Sequence, residues 1–201
     1  SEAVTFFLEG DVRNVDLSRG LIPDEEDLPA TQGWGRLRID HSDVPLWTGV
    51  RGILYDGFIE TIPFDTCTVD VEATADSVLF RSLDLVYRDL HAVVHGMSDS
   101  LKIFRGDIQA HSSNLSTLPA QWQWPSLEGS IDGRGDVFGP LDDLTFAGKA
   151  VVGNFKLDAL HAENAAVQLE ITNVLEDPAF AAGILGDGLF LDNVPLGRFQ
   201  I

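Results

Sequence analysis

The sequence predicts an all-β protein built on an elongated antiparallel sheet, and three observations support this. Short segments alternate between apolar and polar residues, most clearly over residues 69–75 and 167–172, which is the side-chain period of a half-buried strand. Glycine, proline and aspartate stand between such segments, with six glycines from Gly129 to Gly153, as is typical of tight turns. No window of about 12 residues shows the apolar spacing of an amphipathic helix.

The first half of the sequence is interpreted as strands separated by turns. A loop is expected over residues 18–31, where two prolines and four consecutive acids stand, and a turn over residues 41–47. Strands are expected over residues 4–17, 35–40, 69–75, 78–87, 89–96 and 101–105, with a strand pair over residues 50–61 that is broken near Asp56 and Gly57.

The second half follows the same pattern. The glycine-rich residues 129–153 predict an antiparallel meander, and residues 154–158 and 165–172 alternate as strands. Residues 173–188 contain one proline and three glycines, and one short helical turn is expected there over residues 179–185. The last stretch, residues 189–201, is again typical of a strand.

The charge of the chain limits its partners. The formal net charge is −19, from 32 acidic and 13 basic residues, which argues against nucleic acid because a phosphate backbone needs a positive surface. The simplest consequence of this charge is solubility. The acids at residues 24–27 lack the ligand spacing of an EF-hand, so they are interpreted as a solvated loop.

Residues that carry chemistry are few and scattered. Cys67 is the single cysteine, and its acidic neighbours Asp65 and Asp70 disfavour a thiolate, so it is predicted to be a small buried hydrophobe. His91 and His95 would lie about 13 Å apart on one strand face, too far apart for one metal ion. No phosphate-binding loop or nucleophile elbow is present. The sequence therefore predicts no enzyme, no metal site and no cofactor.

Two parts of the sequence are similar to each other. Residues 10–18 are similar to residues 106–116, and Leu-Pro-Ala occurs at residues 28–30 and 118–120, each time before a tryptophan and a strand that begins with glycine. We interpret this as a degenerate repeat that grows by stacking. One continuous array is expected, with unit 1 over residues 1–105 and unit 2 over residues 106–201. Chance similarity of turn residues is the alternative.

The order of these segments resembles the repeat units of the TamB/AsmA-like family. The likeness covers most of the chain and is carried by glycine placement and alternation. The segments that carry it are Gly-Asp-Val-Arg-Asn-Val-Asp-Leu-Ser at 10–18, Leu-Pro-Ala-Thr at 28–31, Gly-Arg-Leu-Arg-Ile at 35–39 and Gly-Arg-Gly-Asp-Val-Phe-Gly-Pro-Leu-Asp-Asp-Leu-Thr-Phe-Ala-Gly at 133–148.

The resemblance implies a sheet curled lengthwise into an open groove, a half-barrel with an apolar inner face. Members of the family are anchored in the inner membrane, cross the periplasm and are thought to conduct phospholipid towards the outer membrane, and TamB has an Omp85-class outer-membrane barrel as its partner. The chain is therefore expected to be a periplasmic middle segment, with the anchor and any barrel contact outside it. It would shield phospholipid acyl chains, and aid in outer-membrane protein assembly is a further expected role.

An apolar groove can hold acyl chains without any headgroup contact, because burying each methylene is worth ~0.8 kcal/mol. For each candidate residue the alternative is an ordinary packed core. The candidates are the inward series of the clearest strands: Val69, Val71, Ala73, Leu90, Ala92, Val94, Leu101, Ile103, Phe155, Leu157, Val167, Leu169 and Ile171.

Two other functions remain open. A structural or adhesive cell-surface β-repeat protein without lipid transport would have a closed core and would act through exposed loops such as residues 24–29. A carbohydrate-active enzyme of the β-solenoid type would need acids clustered on one sheet face beside aromatic residues. This enzyme ranks last, because the acids of this sequence are scattered among its turns.

Overall fold

The computed structural model of the protein describes residues 4–13, 31–43, 45–59, 62–99, 103–118, 126–140, 143–173, 179–191 and 194–200. A short 3-10 helix, Leu115–Thr117, lies between the seventh and eighth strands. The strands are β1 (Thr5–Arg13), β2 (Thr31–Asp43), β3 (Leu46–Ile59), β4 (Ile62–Thr74), β5 (Ser77–Tyr87), β6 (Leu90–Asp99), β7 (Ile103–Ser112), β8 (Leu127–Pro140), β9 (Thr145–Leu157), β10 (Leu160–Thr172), β11 (Ala179–Leu191) and β12 (Val194–Gln200).

The twelve strands form one antiparallel sheet in which each strand pairs with the strand before it in the sequence. Strands β1 and β12 form the two ends of the sheet, so the sheet is open. The prediction of an all-β, open antiparallel sheet is confirmed. Such a meander needs only short hairpin connections, and this explains the regular glycine and aspartate turns of the sequence.

Three local predictions are wrong. Residues 50–59 belong to one strand, β3, because Asp56 takes a φ of 47° that forms a local irregularity without ending the ladder. The helical turn predicted over residues 179–185 is part of β11, whose backbone is paired along its length with β10. The turn at residues 41–47 is shorter than expected, since β2 continues to Asp43 and β3 begins at Leu46. The loop predicted over residues 18–31 lies outside the described residues except for Thr31, which is the first residue of β2.

The two faces of the sheet differ in composition because the residues alternate along each strand. One face, here named the apolar face, carries the buried residues of the protein, including Leu37, Val50 and Leu54. The opposite face, here named the polar face, carries the charged residues. One-sided burial of this kind is usual for antiparallel sheets.

Ion pairs between neighbouring strands cover the polar face. Arg36 pairs with Glu9 at 2.7 Å and Arg81 pairs with Glu72 at 2.8 Å. The hydrogen bond from Arg81 lowers the pKa of Glu72 below its usual range. Exposed pairs of this kind contribute at most about 1 kcal/mol each, so the apolar face supplies most of the stability.

The sheet bends towards its apolar face. Phe80 on β5 and Phe104 on β7 meet edge to face with ring centroids 5.5 Å apart, whereas positions two strands apart are about 9.5 Å apart in a flat sheet. Ile62 on β4 packs against the cluster of Phe104, Val137 and Leu144 on and beside β7 and β8. Contacts across so many strands require curvature.

Gly96 on β6 makes this bend possible. It lies between Phe80 and Phe104 on the apolar face, and the Phe104 ring lies over it. A methyl group at position 96 would overlap that ring and would come within 2.8 Å of the carbonyl oxygen of Arg105. Any side chain here would therefore push the ring, and with it the strand, away.

Backbone irregularities recur six strands apart. The ladder register shifts between Gln32 and Trp34 in β2 and between Glu128 and Ser130 in β8. Asn154 in β9 has a φ of 48°, as Asp56 does in β3. The ladder runs from β6 into β7 without a break. The division into two repeat units stays a prediction, and in this structure both halves belong to one sheet.

We predict that Gly96→Ala destabilises the protein by about 1–3 kcal/mol, because the added methyl overpacks the Phe104 ring. Gly10→Ala is the matched control, since Gly10 lies on the same face in β1 and has no atom within 4 Å of an added methyl. Its effect should stay within about 0.5 kcal/mol. Urea unfolding of both variants measures this, and equal stability would show that the close approach at Gly96 does not matter.

Candidate functional site: the apolar face

The apolar face contains three adjacent rows of residues that cross the sheet from β1 to β10. Each row is set by the strand register, so neighbours within it are direct cross-strand partners. Every position in them is apolar or glycine. Row 1 is Val12, Gly35, Leu54, Cys67, Leu85, Ala92, Ala110, Gly133, Ala150 and Val167; row 2 is Gly10, Leu37, Gly52, Val69, Leu83, Val94, Ile108, Gly135, Gly148 and Leu169; row 3 is Leu8, Ile39, Val50, Val71, Phe80, Gly96, Gly106, Val137, Phe146 and Ile171.

The rows are mostly closed over strands β2 to β5, where Ile39, Phe80 and Leu83 are half-buried and the other side chains of the rows are buried. Leu54 and Cys67 are completely buried, and Val50, Val71 and Leu37 are at most 4% exposed. These side chains pack on one another in a single cluster. Burial of a Leu or Val side chain contributes about 1.5–3 kcal/mol, so this part of the face is a packed core.

The rows are more open over strands β7 to β10. Ile108, Val167, Leu169 and Ile171 are only half-buried. Glycine occupies several positions of the rows here, including two successive ones in row 2, so fewer side chains cover the face. Val137 and Ala150 are buried here, so the accessible row positions of this half lie mainly on β7 and β10.

Most of the residues predicted to line a groove lie on the apolar face, in two groups. The buried group is Val69, Val71, Ala73 and Leu90. The half-buried group is Ala92, Val94, Phe155, Leu157, Val167, Leu169 and Ile171. The first group therefore takes part in the packed core, while the second contains the accessible positions.

The placement predicted for Ile103 is wrong, and Leu101 lies outside the described residues. Ile103 is 44% exposed on the polar face, and its neighbour Phe104 is buried at 4% exposure. In β7 the apolar face carries the even-numbered residues from Phe104 to Ala110, and the polar face carries Ile103 together with Arg105 and Asp107. The prediction placed Ile103 on the inward face, which is the wrong side of the strand.

Several apolar-face residues were missed by the sequence analysis. Phe146, Val137 and Ile108 belong to or pack on the Phe104 cluster. Their strands contain several glycines, which hide the alternation. When glycine is counted as apolar, residues 133, 135 and 137 of β8 and residues 146, 148 and 150 of β9 show the alternation.

No family model, curated protein or solved structure matches this chain. The argument for a function therefore depends on the geometry of the apolar face.

Other kinds of site find little support in the described residues. No group of three or more His, Cys, Asp or Glu side chains there is arranged to hold a metal ion. No helix in the described part of the chain is long and apolar enough to cross a membrane. Cys67 is a free thiol at the centre of the packed core, as predicted from its sequence context.

We predict that Cys67 is almost inert in the folded protein. Burial, reinforced by the charge of Asp84, raises the pKa of its thiol from 9.0 to about 12. A rise of about three pKa units lowers the thiolate fraction at pH 8 about 1,000-fold, and the thiolate is the reactive form. Labelling with a thiol reagent should be slow in buffer and fast in denaturant.

A relocated thiol provides the control. Val167→Cys in a Cys67→Ala background places the only cysteine in row 1 on the open half of the face. It should react at least about tenfold faster than Cys67, because half-burial raises a thiol pKa less than full burial does. Equal rates would show that the two halves of the face are equally accessible.

Proposed function

We propose that the apolar face binds lipid acyl chains and lets them move along the sheet, as in the envelope grooves of TamB/AsmA-like proteins. On this proposal the chain works in the periplasm and its partners are phospholipids. One observation carries the proposal, namely the three rows that cross ten strands without a polar residue. Movement of an acyl chain along the sheet requires an uninterrupted apolar path of this kind, perpendicular to the strands.

The chemistry of the rows suits a conduit. Each buried methylene gains ~0.8 kcal/mol anywhere along the path, and no polar group in the rows requires a particular partner. Over the open strands β7 to β10, an acyl chain therefore finds similar binding energy at each step. A single strong site would hold the lipid in place, and a single unpaired polar group would stop it.

The two halves of the apolar face differ in accessibility, and this difference favours one half as the place where acyl chains lie. Strands β2 to β5 fill the curl with their own side chains, so an acyl chain gains contact there only if that core opens. Strands β7 to β10 leave Val167, Leu169 and Ile171 half-buried. We therefore propose that acyl chains lie against β7 to β10 in this form of the protein.

A structural or adhesive β-repeat protein is the second candidate, and the packed core over β2 to β5 favours it. A sheet that only bears load or displays loops needs its apolar face filled with its own side chains. Lipid extraction and native mass spectrometry of the purified protein separate the two. Bound phospholipid supports the conduit, and its absence together with no uptake from vesicles supports the structural role.

We predict that Leu169→Arg weakens binding of a fluorescent phospholipid at least about tenfold, because an unpaired charge on the apolar path costs more than the 1.4 kcal/mol of one decade in affinity. Thr172→Arg is the matched control. It adds the same charge to β10 three residues further along, at an exposed position that faces the other side of the sheet. Circular dichroism verifies that both variants are folded.

This control should bind the probe as the unmodified protein does. If both variants bind lipid as well as the unmodified protein, the apolar face is not the lipid site. If both variants lose binding equally, the added charge weakens binding whichever face carries it, and the proposal also fails.

A further inference from the structure

Two basic residues stand side by side on the polar face without a carboxylate partner. Arg134 on β8 and Lys149 on β9 are direct cross-strand partners. Gln109 on β7 and Gln168 on β10 continue the same row on either side. Residues directly opposite in a sheet have Cβ atoms about 5 Å apart, so the two charged groups are held near each other.

The same face contains a comparison pair. Arg38 and Arg51 are also cross-strand partners, but each is neutralised. Arg38 binds Asp40 at 2.8 Å, and Arg51 binds Asp70 at 3.0 Å. A like-charged pair without such partners is destabilising.

Neither Arg134 nor Lys149 has an ion pair or a side-chain hydrogen bond with any described residue. Asp132 and Asp136 flank Arg134 two residues away on β8, and Asp107 on β7 and Glu170 on β10 lie diagonally across from the two cations. Within the described part of the chain, none of these carboxylates forms an ion pair with Arg134 or Lys149.

The row lies between two open depressions of the polar face. Their volumes are roughly 770 Å³ and 630 Å³, and both are lined by Arg134, Lys149 and Gln168. They open on the polar side, because the Phe146 ring lies over Gly135 and Gly148 on the apolar side. A ligand at this place can touch both cations and the amides at the same time.

We infer that Arg134 and Lys149 bind a singly charged phosphate ester, with the amides of Gln109 and Gln168 as further donors. Phosphate oxygens accept hydrogen bonds from both cations. The guanidinium of Arg134 donates them in a fixed fork geometry, and the ammonium group of Lys149 is a compact positive charge. The carboxylates of Asp107, Asp132, Asp136 and Glu170, which also line the two depressions, oppose ligands of higher negative charge. A phospholipid headgroup and a soluble phosphodiester share this chemistry.

The first experiment is an NMR titration of the ¹⁵N-labelled protein with dimethyl phosphate, at constant ionic strength with chloride as the reference ion. Saturable shifts are expected in the backbone amides around positions 134 and 149. Arg134→Gln/Lys149→Gln should weaken binding at least about tenfold. Arg105→Gln is the control, because Arg105 carries the same charge on the same face of β7, outside the row, and it should bind as the unmodified protein does.

Thermal unfolding without phosphate gives a second measurement. The double variant should be at least as stable as the unmodified protein, since it lacks the repulsion between the two cations. Added dimethyl phosphate should raise the Tm of the unmodified protein by about 2–4 °C and should not raise the Tm of the double variant. Shifts that never saturate, or that persist in the double variant, would overturn the inference.

Vesicles distinguish the two sources of phosphate. Flotation with phosphatidylcholine vesicles is compared with flotation with digalactosyldiacylglycerol vesicles, which have no phosphate. Binding to the first only, lost in the double variant, identifies a lipid headgroup as the ligand. Dimethyl phosphate binding without vesicle binding identifies a soluble ester. Leu169→Arg leaves the polar face unchanged, so failure of the acyl-chain proposal and failure of this one give different results.

Discussion

The structure depends on a steric constraint on the apolar face, where large side chains need empty positions opposite them. A sheet that bends towards one face brings the side chains of that face together, and close packing leaves no room for all of them to be large. Gly96 provides the space in which Phe80 and Phe104 meet. Gly52 likewise faces Leu37 across β2 and β3, and a methyl group there would come within 2.8 Å of that side chain. The glycines therefore determine how far the sheet can bend.

The same constraint explains why the two halves of the face differ. Over β2 to β5, isolated glycines alternate with Leu and Val, so the side chains interlock and exclude solvent. Over β8 and β9, row 2 has Gly135 opposite Gly148, and the Phe146 ring lies above them. Less side-chain volume is available there to fill the curl, and the neighbouring residues of β10 stay half-buried. The small residues of β8 and β9 therefore leave this half of the apolar face open, although both halves belong to one continuous sheet.

The sequence predicted the parts of the fold that depend on local pattern. Strict alternation identified the strand and the face of Val69 and Leu169, because a period of two is a property of the strand itself. Alternation failed for Ile103, because the five residues of the predicted strand 101–105 can be assigned to the two faces in either order. It also failed for residues 179–185, where Ala and Gly leave no alternation to detect. The three rows were beyond prediction, because they depend on register between strands, and register depends on tertiary packing and turn geometry.

On the two proposals made above, the two faces of the sheet separate two kinds of recognition. The apolar rows contain nothing that distinguishes one acyl chain from another, whereas the Arg134–Lys149 row depends on defined charges. One lipid cannot satisfy both, since its tails and its headgroup would lie on opposite sides of a hydrogen-bonded sheet without passing through it. Any coupling between them must pass through the strands that carry both, as β10 carries Gln168 towards one side and Leu169 towards the other.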